Sequence, residues 1–283
     1  MRAYIELLRV HNCAMAAVAC LIGVLVALPS GEPPDPLIVL FGMTAVFLIT
    51  GAGNAINDVY DIEIDRTNRP SRPLPSGGLS VKRAMLTSLA LFIAGIVLSL
   101  YISIAVGFFG CFLLALVNSF LLLEYARRLK RTAIYGNIAI AYLTASSFLY
   151  GGAILGQSAL KGVLVLVVLA FLATLSREVI KDIEDLKGDR KAGAITLPVR
   201  MGWRWAAALA VACLGLGVAL SPLPMLERFG GLHGGYLWVV AGADLGFLLS
   251  ALLLIKEGAS KASKGIKLSM LVALGAFLVG SLT

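Results

Sequence analysis

The sequence predicts an all-α membrane protein of nine transmembrane helices, arranged as two four-helix halves plus a ninth, with a cytoplasmic N-terminus. Three observations carry that prediction. The first is composition: of 283 residues, 59% are hydrophobic and only 14% are charged, and the mean hydropathy is +0.91. A soluble domain carries about 25% charged residues, so this chain lacks the polar surface to cover a water-soluble globule. Soluble enzymes, disordered chains and disulfide-stapled secreted domains are excluded on the same ground. The second is a series of apolar runs long enough to cross a ~30 Å hydrocarbon core, which takes about 20 residues of helix. The third is the segregation of basic residues into alternate loops.

The runs extend from Cys13 to Leu28, Leu37 to Ile56, Ala84 to Ile102, Ile104 to Leu123 and Asn137 to Leu155. They continue from Leu160 to Ser176, Trp205 to Leu220, Tyr236 to Ile255 and Lys267 to Leu282. Met1 to Arg9 has the charge of a signal-peptide n-region, but no small-x-small cleavage site follows before the next span, so the first run is kept as a membrane helix. The third and fourth runs are parted only around Ile102. With the N-terminus inside, 22 of the 24 Lys and Arg fall in inner segments, and only Lys161 and Arg228 fall outside. Cytoplasmic loops collect Lys and Arg, and removing any one span would scramble this segregation. The net charge of +8 therefore reflects topology and attraction to anionic headgroups, not nucleic-acid binding. Cys13, Cys20, Cys111 and Cys213 lie inside apolar runs without CxxC or Cys/His spacing, and read as small core residues. The whole chain, 1–283, reads as a single transmembrane domain in the plasma membrane.

Two inner loops are much longer than the rest: Asn57 to Arg83 and Arg177 to Arg204. The first opens with Asn57, Asp58, Asp61 and Asp65; on a continuing helix the three aspartates share one face at i, i+3, i+7. The second carries Glu178, Asp182, Asp185 and Asp189 at i, i+4, i+7, i+11, again one stripe, flanked by Arg177 and Lys181. A solvated helix end with scattered ion pairs is the plain alternative. Carboxylates on one face repel each other, however, and a stripe that extends a membrane helix is costly unless a cation neutralises it. The intervals Asp61 to Asp185 and Asp65 to Asp189 are equal, and an even number of spans puts both stripes on one side of the membrane. Such carboxylates suit Mg²⁺, which takes one or two of them together with substrate phosphate oxygens. The implied ligand is a diphosphate, and the implied chemistry its departure as a C–O bond breaks. Arg69 and Arg72, stiffened by Pro70, Pro73 and Pro75, and the basic run Arg127, Arg128, Lys130, Arg131 are candidates to contact it. A transporter is the alternative of a different class; its ionisable sites would lie near the midplane, where only Asp244 stands here.

These residues also carry a family resemblance. Asn57-Asp58-x-x-Asp61-x-x-x-Asp65 followed by Arg72-Pro73-Leu74-Pro75-Ser76-Gly77 resembles the first signature of the UbiA superfamily of intramembrane prenyltransferases. Asp185-x-x-x-Asp189 with Gly193 and Thr196-Leu197-Pro198 resembles the second. The resemblance covers nearly the whole chain. It implies Mg²⁺ bound by Asn57, Asp61, Asp65, Asp185 and Asp189, with Asp58 beside them, and an allylic prenyl diphosphate held on the metal with its chain among the helices. Where relatives that prenylate aromatic acceptors have Tyr-Asp-x-x-Tyr-Ala, this chain has Arg177-Glu178-Val179-Ile180-Lys181-Asp182. Two added cations point to an acceptor with its own phosphate. That stretch, and the opening Tyr4 to Arg9 with Asn12, are most similar to the branch that synthesises digeranylgeranylglyceryl phosphate. The implied reaction is transfer of a geranylgeranyl group from geranylgeranyl diphosphate to the sn-2 hydroxyl of geranylgeranylglyceryl phosphate. A chlorophyllide-type or aromatic acceptor is the alternative within the superfamily. On this reading Asp61, Asp182 and Asp185 are catalytic, with Asp182 a candidate proton acceptor. Asn12, Arg69, Arg72, Lys130, Arg131, Arg177 and Lys181 bind substrate. The partners are the two lipid substrates and the bilayer, with neither nucleic acid nor an obligate protein expected.

Overall fold

A computed structural model of the chain describes residues 2–28, 34–229 and 231–282. The side chains of Lys191, Ala192 and Arg228 lie outside the described residues, and so do the charge placements expected for Lys191 and Arg228. Among the described residues the structure is helical, and nine of its helices are long and apolar enough to cross a membrane. In order the helices are α1 (Arg2–Leu8), α2 (Val10–Ala27), α3 (Pro36–Tyr60), α4 (Ile62–Asn68), α5 (Val81–Val106) and α6 (Gly110–Arg127). Then come α7 (Tyr135–Ile154), α8 (Leu160–Ala192), α9 (Leu197–Met201), α10 (Trp203–Leu220), α11 (Gly234–Lys256) and α12 (Ala259–Leu282). The short helices α1, α4 and α9 are the ones that do not span.

The helices group into two compact units: Met1–Val24, Pro29–Leu129 and Ser146–Ala159 in the first, and Leu25–Leu28, Lys130–Ala145 and Leu160–Thr283 in the second. The division falls inside α7, the fifth span, whereas the sequence reading left the ninth helix outside two halves. In the first unit, the C-terminal half of α7 is built to approach α2. A Cβ on Gly151 would lie 2.1 Å from the Cys20 carbonyl oxygen, and one on Gly23 would lie 2.1 Å from that of Phe148. Small residues let membrane helices come together at backbone distance, where apolar side chains facing lipid provide no hydrophobic drive. Hydroxyl and amide groups add bonds between helices: Ser88 Oγ donates to the Ala52 carbonyl (2.8 Å), Ser99 Oγ and Tyr150 OH pair at 2.7 Å, and Asn118 Nδ2 donates to Ser146 Oγ (2.9 Å). Gly107, at φ 72°, ends α5 by returning its N–H to Ile104. The break between the third and fourth spans therefore lies several residues beyond the expected Ile102, because only glycine takes the left-handed conformation freely.

In the second unit α11 and α12 pack through a reciprocal pair of small-residue motifs. Gly246 faces Ser269 and Gly265 faces Ser250, each hypothetical Cβ lying 2.4 Å from the opposing Oγ. The serine hydroxyls turn back onto their own helices, Ser250 to Gly246 and Ser269 to Gly265. Asp244, the carboxylate that stands in mid-span, accepts a 2.6 Å bond from Ser221 Oγ, while Tyr236 OH donates to the Ser221 carbonyl. It thereby ties the end of α10 to α11. All four cysteines are buried and free, as their apolar settings predict. At 33 residues α8 is about 50 Å long. A ~30 Å hydrocarbon core leaves its last dozen residues projecting, and these carry Asp182, Asp185 and Asp189 of the second acidic stripe.

Candidate active site

The first unit presents its acidic residues on the junction of α3 and α4. Asp61 interrupts the helix (φ −94°, ψ 0°), yet the backbone bonds from Asp61 N to Asn57 O (3.0 Å) and Asp65 N to Asp61 O (2.8 Å) bridge the break. The predicted shared face therefore survives, and it divides into two groups. Asn57 Nδ2 donates to Asp61 Oδ2 at 2.9 Å, and both residues are half-buried. Asp58 and Asp65, only 4% and 6% exposed, face arginines. Arg72 Nη1 lies 2.5 Å from Asp65 and 3.3 Å from Asp58, and Arg9 Nη2 lies 2.5 Å from Asp58. Charges this buried persist only when paired, and the two arginines supply that pairing.

Arg9 reaches Asp58 from an unusual backbone. Its φ of 49° makes it the only described non-glycine residue with positive φ, and it forms the elbow between α1 and α2. A non-glycine residue in this region is strained and must be held by its surroundings. Asn54, one turn before Asp58, donates to the Leu8 carbonyl (2.8 Å), which also accepts from Cys13 Sγ (3.1 Å). The carbonyl left open where α1 stops is thus satisfied, and the elbow is fixed. A cavity of about 520 Å³ opens beside it, lined by Ile5, Glu6, Arg9, Val10, His11, Asp58, Ser71, Arg72 and Pro73. Asn12 is exposed and is not among the lining residues; Arg69 is exposed at the end of α4. Arg127 and Arg128 both reach Glu124, at 3.4 and 3.3 Å.

In the second unit the stripe lies on one face of the projecting part of α8. Val179 and Ile180, fully buried in the core with Leu197, Ala206 and Ile266, hold the opposite face. Glu178 joins the two flanking cations, with Arg177 Nη1 at 2.7 Å and Lys181 Nζ at 3.3 Å. Arg177 Nε is buried without a hydrogen-bond partner among the described residues. Asp182 Oδ2 accepts from Asn137 Nδ2 at 2.8 Å, across from α7. Asp185 is exposed, and Asp189 Oδ2 accepts from Thr196 Oγ1 at 3.1 Å. Lys130 and Arg131 form a single 3₁₀ turn with Leu129; Arg131 is exposed and Lys130 half-buried.

Asn54, Arg9 and Asn137 are the residues to which sequence reasoning gave no role in the site, and Glu178, placed in the stripe, received no partner there. Asn54 and Asn137 are amides set among apolar residues of a span, and that is the signal that finds them. As donors, the candidate ligands are oxygen only. Among the described residues no three His, Cys, Asp or Glu side chains gather into a group that holds a cation alone. Asn57 with Asp61, and Asp185 with Asp189, fit an ion of the Mg²⁺ type, which keeps open positions for phosphate oxygens and water rather than an all-protein cage.

Comparison with known proteins agrees with this architecture. The model of the UbiA prenyltransferase family matches residues 16–274. Digeranylgeranylglyceryl phosphate synthase of Methanococcoides burtonii is 46% identical over 288 residues, covering 99% of this chain and all of that protein. A solved structure of a digeranylgeranylglyceryl phosphate synthase in membranes superposes with a TM-score of 0.85 at 39% identity, covering 99% and 98% of the two chains. A UbiA homolog from Archaeoglobus fulgidus, bound to GPP and Mg²⁺, shares the fold with a TM-score of 0.72 at 19% identity and 99% coverage of both chains. With the family model spanning most of the chain and a relative this similar over its full length, the protein belongs to the UbiA prenyltransferase family.

Proposed function

We propose that this prenyltransferase moves a geranylgeranyl group from geranylgeranyl diphosphate to the sn-2 hydroxyl of geranylgeranylglyceryl phosphate, forming the second ether bond of an archaeal-type membrane lipid. The observation that carries the reading is full-length identity of 46% to a relative named digeranylgeranylglyceryl phosphate synthase. The cationic fork on α8 supports it locally: Glu178 holds Arg177 and Lys181, and Arg177 Nε is left with an unmet donor. A buried donor without an acceptor is costly, and an acceptor-borne phosphate would satisfy it. The chain acts as one domain, multi-pass in the plasma membrane, with its acidic helix ends facing the cytoplasm.

Mg²⁺ would be held by Asn57 and Asp61 in the first unit and by Asp185 and Asp189 in the second, where it would neutralise charge on the departing diphosphate. Asp58 and Asp65 take a different part, aiming Arg9 and Arg72 at the 520 Å³ cavity. Lys130, Arg131 and Arg69 add positive potential for the diphosphate, and Asn12 lies beside the first-unit cavity residue His11. As the C1–O bond of the donor opens, the sn-2 oxygen attacks C1. Its proton passes to Asp182, whose Oδ2 is fixed by Asn137. The apolar helices exclude water from the allylic cation, and each buried methylene of the prenyl chains contributes ~0.8 kcal/mol to binding.

The test is an acceptor panel with labelled geranylgeranyl diphosphate and purified protein. Geranylgeranylglyceryl phosphate should be prenylated, with diphosphate released in a Mg²⁺-dependent way, while 4-hydroxybenzoate and chlorophyllide should not. Preference for either of the latter would overturn the acceptor assignment.

A further inference from the structure

The chain that leaves the acidic helix is amphipathic in a way the transfer reaction does not use. Between Ala194 and Trp205 it forms α9 and enters α10. Leu197 and Pro198 are buried against the core of the second unit. Ile195, Arg200, Met201, Trp203, Arg204 and Trp205 are all exposed, Trp205 to 69%. The Arg204 guanidinium lies over the Trp203 ring, 5.9 Å from its centroid. Neither Arg200 nor Arg204 has a carboxylate partner among the described residues.

Depth is set by the tryptophans. Trp203 and Trp205 open α10, and Trp238, 82% exposed, stands near the start of the following span α11. Indole rings settle at the headgroup level on both sides of a bilayer, so consecutive spans with tryptophan near their first turns mark its two faces. At one of those faces the protein presents two aromatic rings, two aliphatic side chains and two uncompensated guanidinium groups. Guanidinium pairs with phosphate through parallel hydrogen bonds. Each basic residue close to an anionic surface favours contact on the order of fivefold.

We propose that residues 195–205 form a binding surface for anionic phospholipid headgroups, with the tryptophans inserted between lipids and Arg200 and Arg204 on lipid phosphates. The surface is tied to the acidic helix. Thr196 Oγ1 donates to Asp189 Oδ2 at 3.1 Å, and Ala194 N donates to the Asp189 carbonyl at 2.9 Å. Anchoring the segment therefore constrains the last turn of α8.

The experiment reads binding without enzymatic turnover. A Trp238→Phe chain restricts tryptophan emission to Trp203 and Trp205. It is reconstituted in phosphatidylcholine vesicles with brominated phosphatidylglycerol or, at the same mole fraction, brominated phosphatidylcholine. The anionic quencher is expected to act at several-fold lower mole fraction, and its advantage to shrink at high salt. The R200Q/R204Q exchange should abolish the advantage and R200K/R204K should retain most of it. K261Q/K264Q, on exposed lysines at the start of α12, should leave it unchanged. Equal quenching by both headgroups would reduce the segment to a generic aromatic belt and overturn the proposal. So would a preference that survives R200Q/R204Q.

Discussion

Replacing Arg72 by glutamine separates a clamp from a substrate ligand. Arg72 is 20% exposed in its side chain and sits on two carboxylates, Asp65 at 8% and Asp58 at 5%. Asp58 keeps Arg9 when Arg72 is lost, but Asp65 is left as a buried charge with no other salt-bridge partner among the described residues. Breaking a buried pair by removing one partner costs about 3–5 kcal/mol. Because Arg72 is itself partly solvated and water can enter where it stood, the cost falls below that range, to about 2–3 kcal/mol. At roughly 2 °C per kcal/mol for a chain of this size, the apparent unfolding midpoint in detergent should fall by about 4–6 °C. The control is Asp65→Asn in the same chain, which removes the orphaned charge. The double variant should recover most of the lost stability, while activity, which needs Arg72 aimed into the cavity, should stay low. An Arg72→Gln protein that unfolds at the wild-type temperature, with no rescue by Asp65→Asn, would refute the clamp and leave only contact with substrate.

Four further outcomes are expected. Asp61→Ala and Asp185→Ala should each abolish prenyl transfer at limiting Mg²⁺ while the protein stays folded in detergent; turnover retained in both would dismiss the metal assignment. Lys181→Met should raise KM for the phosphorylated acceptor roughly ten- to a hundredfold, the loss of one charge-assisted hydrogen bond, with the affinity for prenyl diphosphate unchanged; equal losses with a dephosphorylated acceptor would oppose a phosphate contact. Gly151→Ala places a Cβ 2.1 Å from a backbone carbonyl of α2 that no rotamer change can move, so a destabilisation of about 1–3 kcal/mol should appear in thermal unfolding; a neutral exchange would show that the crossing is looser than described. Cysteines at positions 72 and 190 should react with an impermeant reagent from the cytoplasmic side and one at 161 from the other; finding 72 and 190 on opposite sides would undo the nine-span topology.

Membership of the membrane class, the nine spans and the two acidic stripes were all legible in the linear chain, because each depends on local quantities. Hydropathy is a property of twenty consecutive residues, and a stripe is a property of helical spacing. The spacing of Glu178, Asp182, Asp185 and Asp189 was enough, since α8 continues unbroken through them. Helix ends were less legible where one glycine decides them, as Gly107 does for α5.

Tertiary structure alone decided which carboxylates are covered and which arginines meet them. Asn57, Asp58, Asp61 and Asp65 look equivalent as ligands in the sequence, but burial separates them. Asp58 and Asp65 are covered and take Arg9 and Arg72, which stand 49 and 7 residues away along the chain. Asp61 is paired with an amide. No spacing rule reveals that Arg9 adopts a left-handed backbone, or that Asn54 satisfies the carbonyl exposed there. The same holds for Asn137 on Asp182 and for Thr196 on Asp189. Pattern along one helix determines which residues share a face. What that face meets depends on desolvation and on hydrogen-bond partners from other elements, and those exist only once the chain has packed.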